Sequence, residues 1–161
     1  MKKNKAYLLL GSNMGDSKAE LEKAKQEIEK LIGRITAVSS EYRTAAWGKE
    51  DQPDFLNLAL ITETAMTASE VLEAALDIEK RSGRVRNEKY AARTIDIDII
   101  FFNDDIISEE HLKVPHPYMQ KRRFVLEPLN EIAASYTHPV LHKKIAELLA
   151  ECDDPLNVQK I

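Results

Sequence analysis

Asp96 and Asp98, separated only by Ile97, are the residues whose types and spacing most directly imply chemistry. They sit in Arg93-Thr94-Ile95-Asp96-Ile97-Asp98-Ile99-Ile100-Phe101-Phe102, whose β-branched and aromatic residues read as a strand. Residues two apart on a strand project from one face, with α-carbons about 6.6 Å apart at a rise of about 3.3 Å per residue. Two bare carboxylates at that spacing repel by roughly 2.5 kcal/mol at an effective dielectric of about 20. An apolar strand does not carry that repulsion without a counter-charge. A hard divalent cation is the natural one, because Mg²⁺ favours one or two carboxylates completed by phosphate oxygens. Arg93, just upstream, points to the same anionic ligand. The competing reading is a structural ion pair in which local arginines neutralise both acids.

A basic run leads into this strand: Lys80, Arg81, Arg84, Arg86, Lys89 and Arg93, opposed only by Glu88. Guanidinium forks take phosphate oxygens two at a time, so arginines beside a metal-binding acid pair suit a polyphosphate. A solvated basic surface is the plainer alternative. The glycine-rich phosphate cradles are absent. Gly11-Ser12-Asn13-Met14-Gly15 lacks the required lysine and reads as a tight turn. A triphosphate would therefore be held through side chains and metal. Phe55 and Asn57 share a strand face, and a ring beside an amide that both donates and accepts suits a flat, hydrogen-bonding heterocycle. Phe124, after Arg122 and Arg123, offers a second aromatic wall or else a core residue. Val114-Pro115-His116-Pro117 holds a histidine in a stiff connector, where it donates to phosphate or merely sits in a loop. His111, His138 and His142 lack metal-ligand spacing.

The elements that must position these residues follow from periodicity. Residues 5–11 read as a strand buried on both faces, because its apolarity is continuous. Ser17 with Glu20 forms a capping box opening a helix with the stripe Leu21, Ala24, Ile28, Leu31 and Ile32, and Gly33 closes it. One strand is expected over Ile35 to Thr44, then a polar loop, Gly48 to Pro53. Phe55 to Glu63 alternates, with Phe55, Asn57, Ala59 and Ile61 on one face and Leu56, Leu58 and Leu60 on the other. Thr67 with Glu70 starts a second helix that turns Val71, Leu72, Ala75 and Leu76 inward and stops at Gly83. After the aspartate strand, Asn103-Asp104-Asp105 turns the chain toward a short strand at Ile106-Ile107. A proline-rich connector and helices near 120–134 and 141–151 complete it. The order β-α-β-β-α-β predicts an α+β, ferredoxin-like sheet with helices on one face and a C-terminal extension, one domain over residues 1–161.

A chain of 161 residues is long enough for a substantial core, and its net charge of −4 argues against a general nucleic-acid binder. The single cysteine, Cys152, excludes an intrachain disulfide, and its acidic neighbours Glu151 and Asp153 disfavour a reactive thiolate. The apolar run after Lys5 is too short for a secretory signal, and no stretch approaches a membrane span. These features predict a cytoplasmic protein with no membrane partner.

The motifs together resemble the 6-hydroxymethyl-7,8-dihydropterin pyrophosphokinase family over nearly the whole chain. The resemblance rests on Leu10-Gly11-Ser12-Asn13, Tyr42-Arg43-Thr44 with Trp47-Gly48, Gln52-Pro53-Asp54-Phe55-Leu56-Asn57 and Ile78-Glu79 with Gly83-Arg84-Val85-Arg86. It continues through Arg93-Thr94-Ile95-Asp96-Ile97-Asp98-Ile99 and Val114-Pro115-His116 with Arg122 and Phe124. It implies transfer of the β,γ-pyrophosphate of ATP to the hydroxymethyl oxygen of a reduced pterin, with AMP released. By that resemblance Asp96 and Asp98 hold two Mg²⁺ ions, and Arg84 and Arg93, with Asp96, serve the transfer step. Glu79, Arg86, Lys89, Tyr90, His116 and Arg122 serve ATP, with the backbone at Ile99 and Lys113 near adenine. Thr44, Ala45, Trp47, Phe55, Asn57 and Phe124 hold the pterin. A monomer is expected.

The chain departs from the family's usual pattern in three respects, one of them a basic loop that is one residue short. Lys89-Tyr90-Ala91-Ala92-Arg93 stands where Arg-Trp-Gly-Pro-Arg is usual, and Thr44-Ala45-Ala46 where Thr-Pro-Pro is usual. Lys89 keeps a charge without the guanidinium fork, and Tyr90 presents a smaller ring than tryptophan. Two other readings share parts of the pattern. A metal-dependent nucleotidyltransferase acting on another acceptor would use the same acids and arginines but release pyrophosphate. A non-catalytic RNA reader should carry an aromatic strand motif that is absent here.

Overall fold

The computed structural model describes residues 3–13, 16–44, 54–82 and 95–161. The continuous apolar run near the start forms β1 (Asn4–Ser12), buried on both faces from Ala6 onward. α1 (Ser17–Leu31) follows. Its cap is Asp16, whose carboxylate accepts from Ala19 N at 3.2 Å, rather than the expected Ser17 box. A carboxylate one residue earlier both satisfies a first-turn amide and meets the positive end of the helix dipole.

The strand expected over Ile35 to Thr44 is two: β2 (Arg34–Val38) and β3 (Tyr42–Thr44). Both pair antiparallel with β4 (Phe55–Thr64). The chain breaks at Ser39, whose hydroxyl accepts from Ala59 N at 2.9 Å. α2 (Ala68–Arg81) opens on the expected Thr67–Glu70 box. Its inward face is Val71, Ala75, Ile78 and Glu79; Leu76, expected inward, is 47% exposed. The aspartate strand is β5 (Asp96–Phe102). The turn at Asn103 leads to a small hairpin, β6 (Ile107–Ser108) with β7 (Lys113–Val114). A single 3₁₀ turn over Met119–Lys121 then precedes α3 (Arg123–Ala133) and α4 (Ile145–Glu151), both shorter than expected. β8 (Val158–Lys160), which periodicity does not announce, ends the chain against β3.

The main sheet runs β5-β1-β4-β3-β8, with β2 also on β4. This antiparallel sheet packed with helices is an α+β fold. Alternation along the strands builds two cores. Leu8, Leu10, Leu56, Leu58, Leu60, Ile97 and Ile99 pack against α1 and α2. Tyr7, Leu9, Ala59, Ile100 and Phe101 pack on the opposite side against α3 and α4. So α1 and α2 share one face as expected, and the C-terminal extension covers the other. Tyr7 pairs with Phe101 but Leu8 with Ile99, which makes Ile100 the extra residue of a β-bulge. Ile100 and Phe101 therefore both face α3, and Phe102 returns to the first core.

Glu131 on α3 ties the extension to the strand turn. Its carboxylate accepts from Ser40 N (2.9 Å), Ser40 Oγ (3.1 Å) and Tyr42 Oη (2.7 Å), and Lys160 Nζ lies 3.8 Å away. Burial works to raise its pKa, but the hydrogen bonds from Tyr42 and Ser40 outweigh it, and the carboxyl titrates below its ordinary value. Burial and this same bond hold the Tyr42 phenol well above its own ordinary value. A depressed folded-state pKa contributes stability above the unfolded value that is lost as pH falls through the folded one. We expect unfolding free energy from urea titrations to decline as pH drops below the unfolded glutamate value of 4.5. Glu131→Gln should flatten that limb of the profile; an unchanged limb would refute the assignment.

Candidate active site

A cleft of about 290 Å³ opens on the α3 side of the sheet. Its floor is set by register. Gly11 of β1 lies opposite Asp96 on one neighbour and Asn57 on the other, and Leu9 lies opposite Asp98 and Ala59. Asp96 and Asp98 thus share a face as their spacing requires, and both line the cleft. Gly11, read from sequence as a turn residue, is part of this floor. A Cβ on it would stand 2.5 Å from Asn57 Oδ1, so its missing side chain leaves the gap between acid and amide. The available signal was a glycine closing an apolar strand, where close approach is common.

Thr44, Phe55 and Asn57 form one wall with Phe124. Thr44 is only 3% exposed, and its hydroxyl has no hydrogen-bond partner among the described residues. A buried hydroxyl left this way costs about 1–3 kcal/mol unless a ligand satisfies it. Ser12 Oγ and the Asn13 amide are buried and unpartnered in the same way. Val125 and Leu156 add apolar lining that sequence reading did not assign. Leu156 reaches the site because Arg123, grouped with Arg122 by sequence, turns away. Its guanidinium donates to Cys152 O (2.9 Å) and Asp154 O (3.2 Å) and ties down the tail.

His116 and Arg122 form a polar wall of the same cleft. The bulge at Ile100 places the histidine, since the Ile100 carbonyl accepts from His116 N at 3.0 Å. His116 Nδ1 accepts from Tyr118 N at 3.4 Å, so the neutral ring carries its proton on Nε2. Burial, helped by the Arg122 charge and opposed by Asp98, pulls its pKa below the ordinary value. At neutral pH it is an uncharged donor. Arg122 Cζ lies 6.0 Å from the Phe124 ring centroid, which joins the polar wall to the aromatic one.

Glu79, Ile99 and Lys113 are not among the described residues lining the cleft. The Glu79 carboxylate is buried beneath β5 and accepts from Ile97 N at 2.8 Å, between the two acids. The Ile99 side chain packs in the α1–α2 core, and Lys113 Nζ donates to Glu109 O at 3.2 Å. Ala45, Trp47, Arg84, Arg86, Lys89, Tyr90 and Arg93 lie outside the described residues.

The donor set fits a hard cation. Two carboxylates lining a cleft with room for a ligand supply oxygen only, the preference of Mg²⁺. Among the described residues no group of three or more His, Cys, Asp or Glu side chains gathers for a metal. The remaining positions would fall to water and ligand oxygens, which is how Mg²⁺ is usually held at phosphate sites. No described helix is long and apolar enough to cross a membrane.

Residues 7–134 match the family model described as 7,8-dihydro-6-hydroxymethylpterin-pyrophosphokinase. The 2-amino-4-hydroxy-6-hydroxymethyldihydropteridine pyrophosphokinase of Aquifex aeolicus is 39% identical over 145 residues, 90% of each chain. The Bacillus subtilis protein of the same name is 44% identical over 130 residues, 80% of this chain and 78% of its own. A crystal structure of Plasmodium falciparum HPPK-DHPS superposes with a TM-score of 0.78 over 93% of this chain at 21% identity, a likeness of fold. This chain spans 43% of that one. The matched residues hold the strands of Asp96, Asp98 and Asn57 and, apart from Leu156, all the described residues that line the cleft, and the chain belongs to the 7,8-dihydro-6-hydroxymethylpterin-pyrophosphokinase family.

Proposed function

We propose that this chain transfers the β,γ-pyrophosphoryl group of ATP to the hydroxymethyl oxygen of 6-hydroxymethyl-7,8-dihydropterin and releases AMP, a step of folate biosynthesis. The observation that carries the reading is the partition of one cleft. Acids and cationic or donor groups (Asp96, Asp98, His116, Arg122) meet an aromatic and amide pocket (Thr44, Phe55, Asn57, Phe124). The first group suits a polyphosphate and the second a flat heterocycle. We further read the β5-β1-β4-β2 order as ferredoxin-like and the chain as a one-domain, cytoplasmic monomer.

In this reading the hydroxymethyl oxygen attacks the β-phosphorus, the bond to the α,β-bridging oxygen breaks, and AMP departs with that oxygen. Two Mg²⁺ ions held by Asp96 and Asp98 would neutralise the charge shifting along the triphosphate. The protein's own part is alignment and electrostatic stabilisation, as phosphoryl-type transfer requires. Asp96 accepts the hydrogen bond of the attacking hydroxyl, whose proton passes to solvent as the new bond to phosphorus forms. His116 donates through Nε2 to a phosphate oxygen, and Arg122 with Arg86 grips the nucleotide. Arg84 and Arg93 steady the transferring group, and Lys89 and Tyr90 serve ATP. Glu79 serves the nucleoside, and the backbone at Ile99 and Lys113 serves adenine. Thr44 and Asn57 bond the pterin edge while Phe55 and Phe124 hold its faces, with Ala45 and Trp47 alongside.

The test is product identity. Purified chain, ATP, Mg²⁺ and the reduced pterin should yield AMP and a diphosphorylated pterin in equal amounts by chromatography. Release of pyrophosphate instead would indicate nucleotidyl transfer and overturn the proposal.

A further inference from the structure

Tyr118 has no part in the proposed transfer, yet its setting is unusual for an idle side chain. The residue is 57% exposed, although it follows the cleft residue His116 by two positions. Its backbone is anchored: the N–H donates to His116 Nδ1, and the carbonyl accepts from Lys121 N at 3.1 Å. Met119 beside it is fully buried. The ring is thus carried on a fixed turn while standing largely in solvent. Arg122 Cζ lies 5.7 Å from the Tyr118 centroid and 6.0 Å from that of Phe124, within cation–π range of both.

We propose that Tyr118 is a positioning residue that holds the Arg122 guanidinium at the cleft, ready for a polyphosphate. Arg122 is itself exposed, and a solvated arginine samples many rotamers. Contact with two rings, one lining the cleft and one outside it, restricts that sampling before the ligand arrives. The inference rests on the nucleotide reading of the cleft, so its test reads binding separately from transfer.

Isothermal titration of ATP, and separately of inorganic tripolyphosphate, into the full chain with Mg²⁺ provides the measurement. Tyr118→Ala should weaken both by about two- to fivefold, and Tyr118→Phe should restore them, since the ring face is what matters. In an Arg122→Ala background Tyr118→Ala should add nothing. An unchanged Kd for Tyr118→Ala, equal losses in both backgrounds, or no binding of either anion by the wild-type chain would overturn the inference. Binding that depends on Tyr118 without any AMP formation would overturn the proposed transfer and leave the role of Tyr118 standing.

Discussion

Asp96→Ala and Asp98→Ala should each lower AMP formation by about a thousandfold or more, equivalent to roughly 4 kcal/mol of transition-state stabilisation. Both side chains face the cleft, one half-buried and one exposed, and neither belongs to either core. Circular dichroism and cooperative unfolding should therefore persist in the variants while turnover collapses. The wild-type rate should rise with Mg²⁺ and saturate, and the variants should show no such response. Asp96→Asn and Asp98→Asn separate charge from shape, because each keeps the side-chain volume while weakening metal affinity. Near-wild-type turnover in either alanine variant would remove the metal site from the mechanism.

Asn57→Ala should cut kcat/KM for the pterin by about a hundredfold, roughly 2.7 kcal/mol, while leaving the affinity for ATP within about twofold. Asn57 is 5% exposed and sits between Gly11 and Tyr42 in the strand register, so its amide is held by the sheet rather than by solvent. A fixed amide recognises a heterocycle edge through a donor and an acceptor at once, and losing it strands the partner groups of the ligand. Gly11→Ala should reproduce the same selective loss, because the new Cβ would displace Asn57 Oδ1. Steady-state kinetics with each substrate varied in turn decides the matter. Equal weakening for ATP and the pterin would show that Asn57 supports the whole cleft and not one ligand.

Much of this geometry is legible from local pattern. The shared face of Asp96 and Asp98, the pairing of Phe55 with Asn57, and the buried run of β1 all follow from the two-residue period of a strand. The Thr67–Glu70 cap is equally local. Where local cues compete they mislead: Asp16 takes the cap expected at Ser17, and Leu76 falls off the buried stripe of α2.

Sequence alone determined which side chains of a strand point together, because backbone sterics make that choice within a few residues. What those side chains face was decided only by tertiary structure. Cross-strand register put Gly11 between Asp96 and Asn57, and the extra residue Ile100 offered its carbonyl to His116. The fold of the last helices brought Arg122, Phe124 and Leu156 over the strands, with Glu131 and Arg123 fastening the extension. These are contacts between segments tens of residues apart. They depend on how two cores close around one sheet, which no periodicity along the chain encodes.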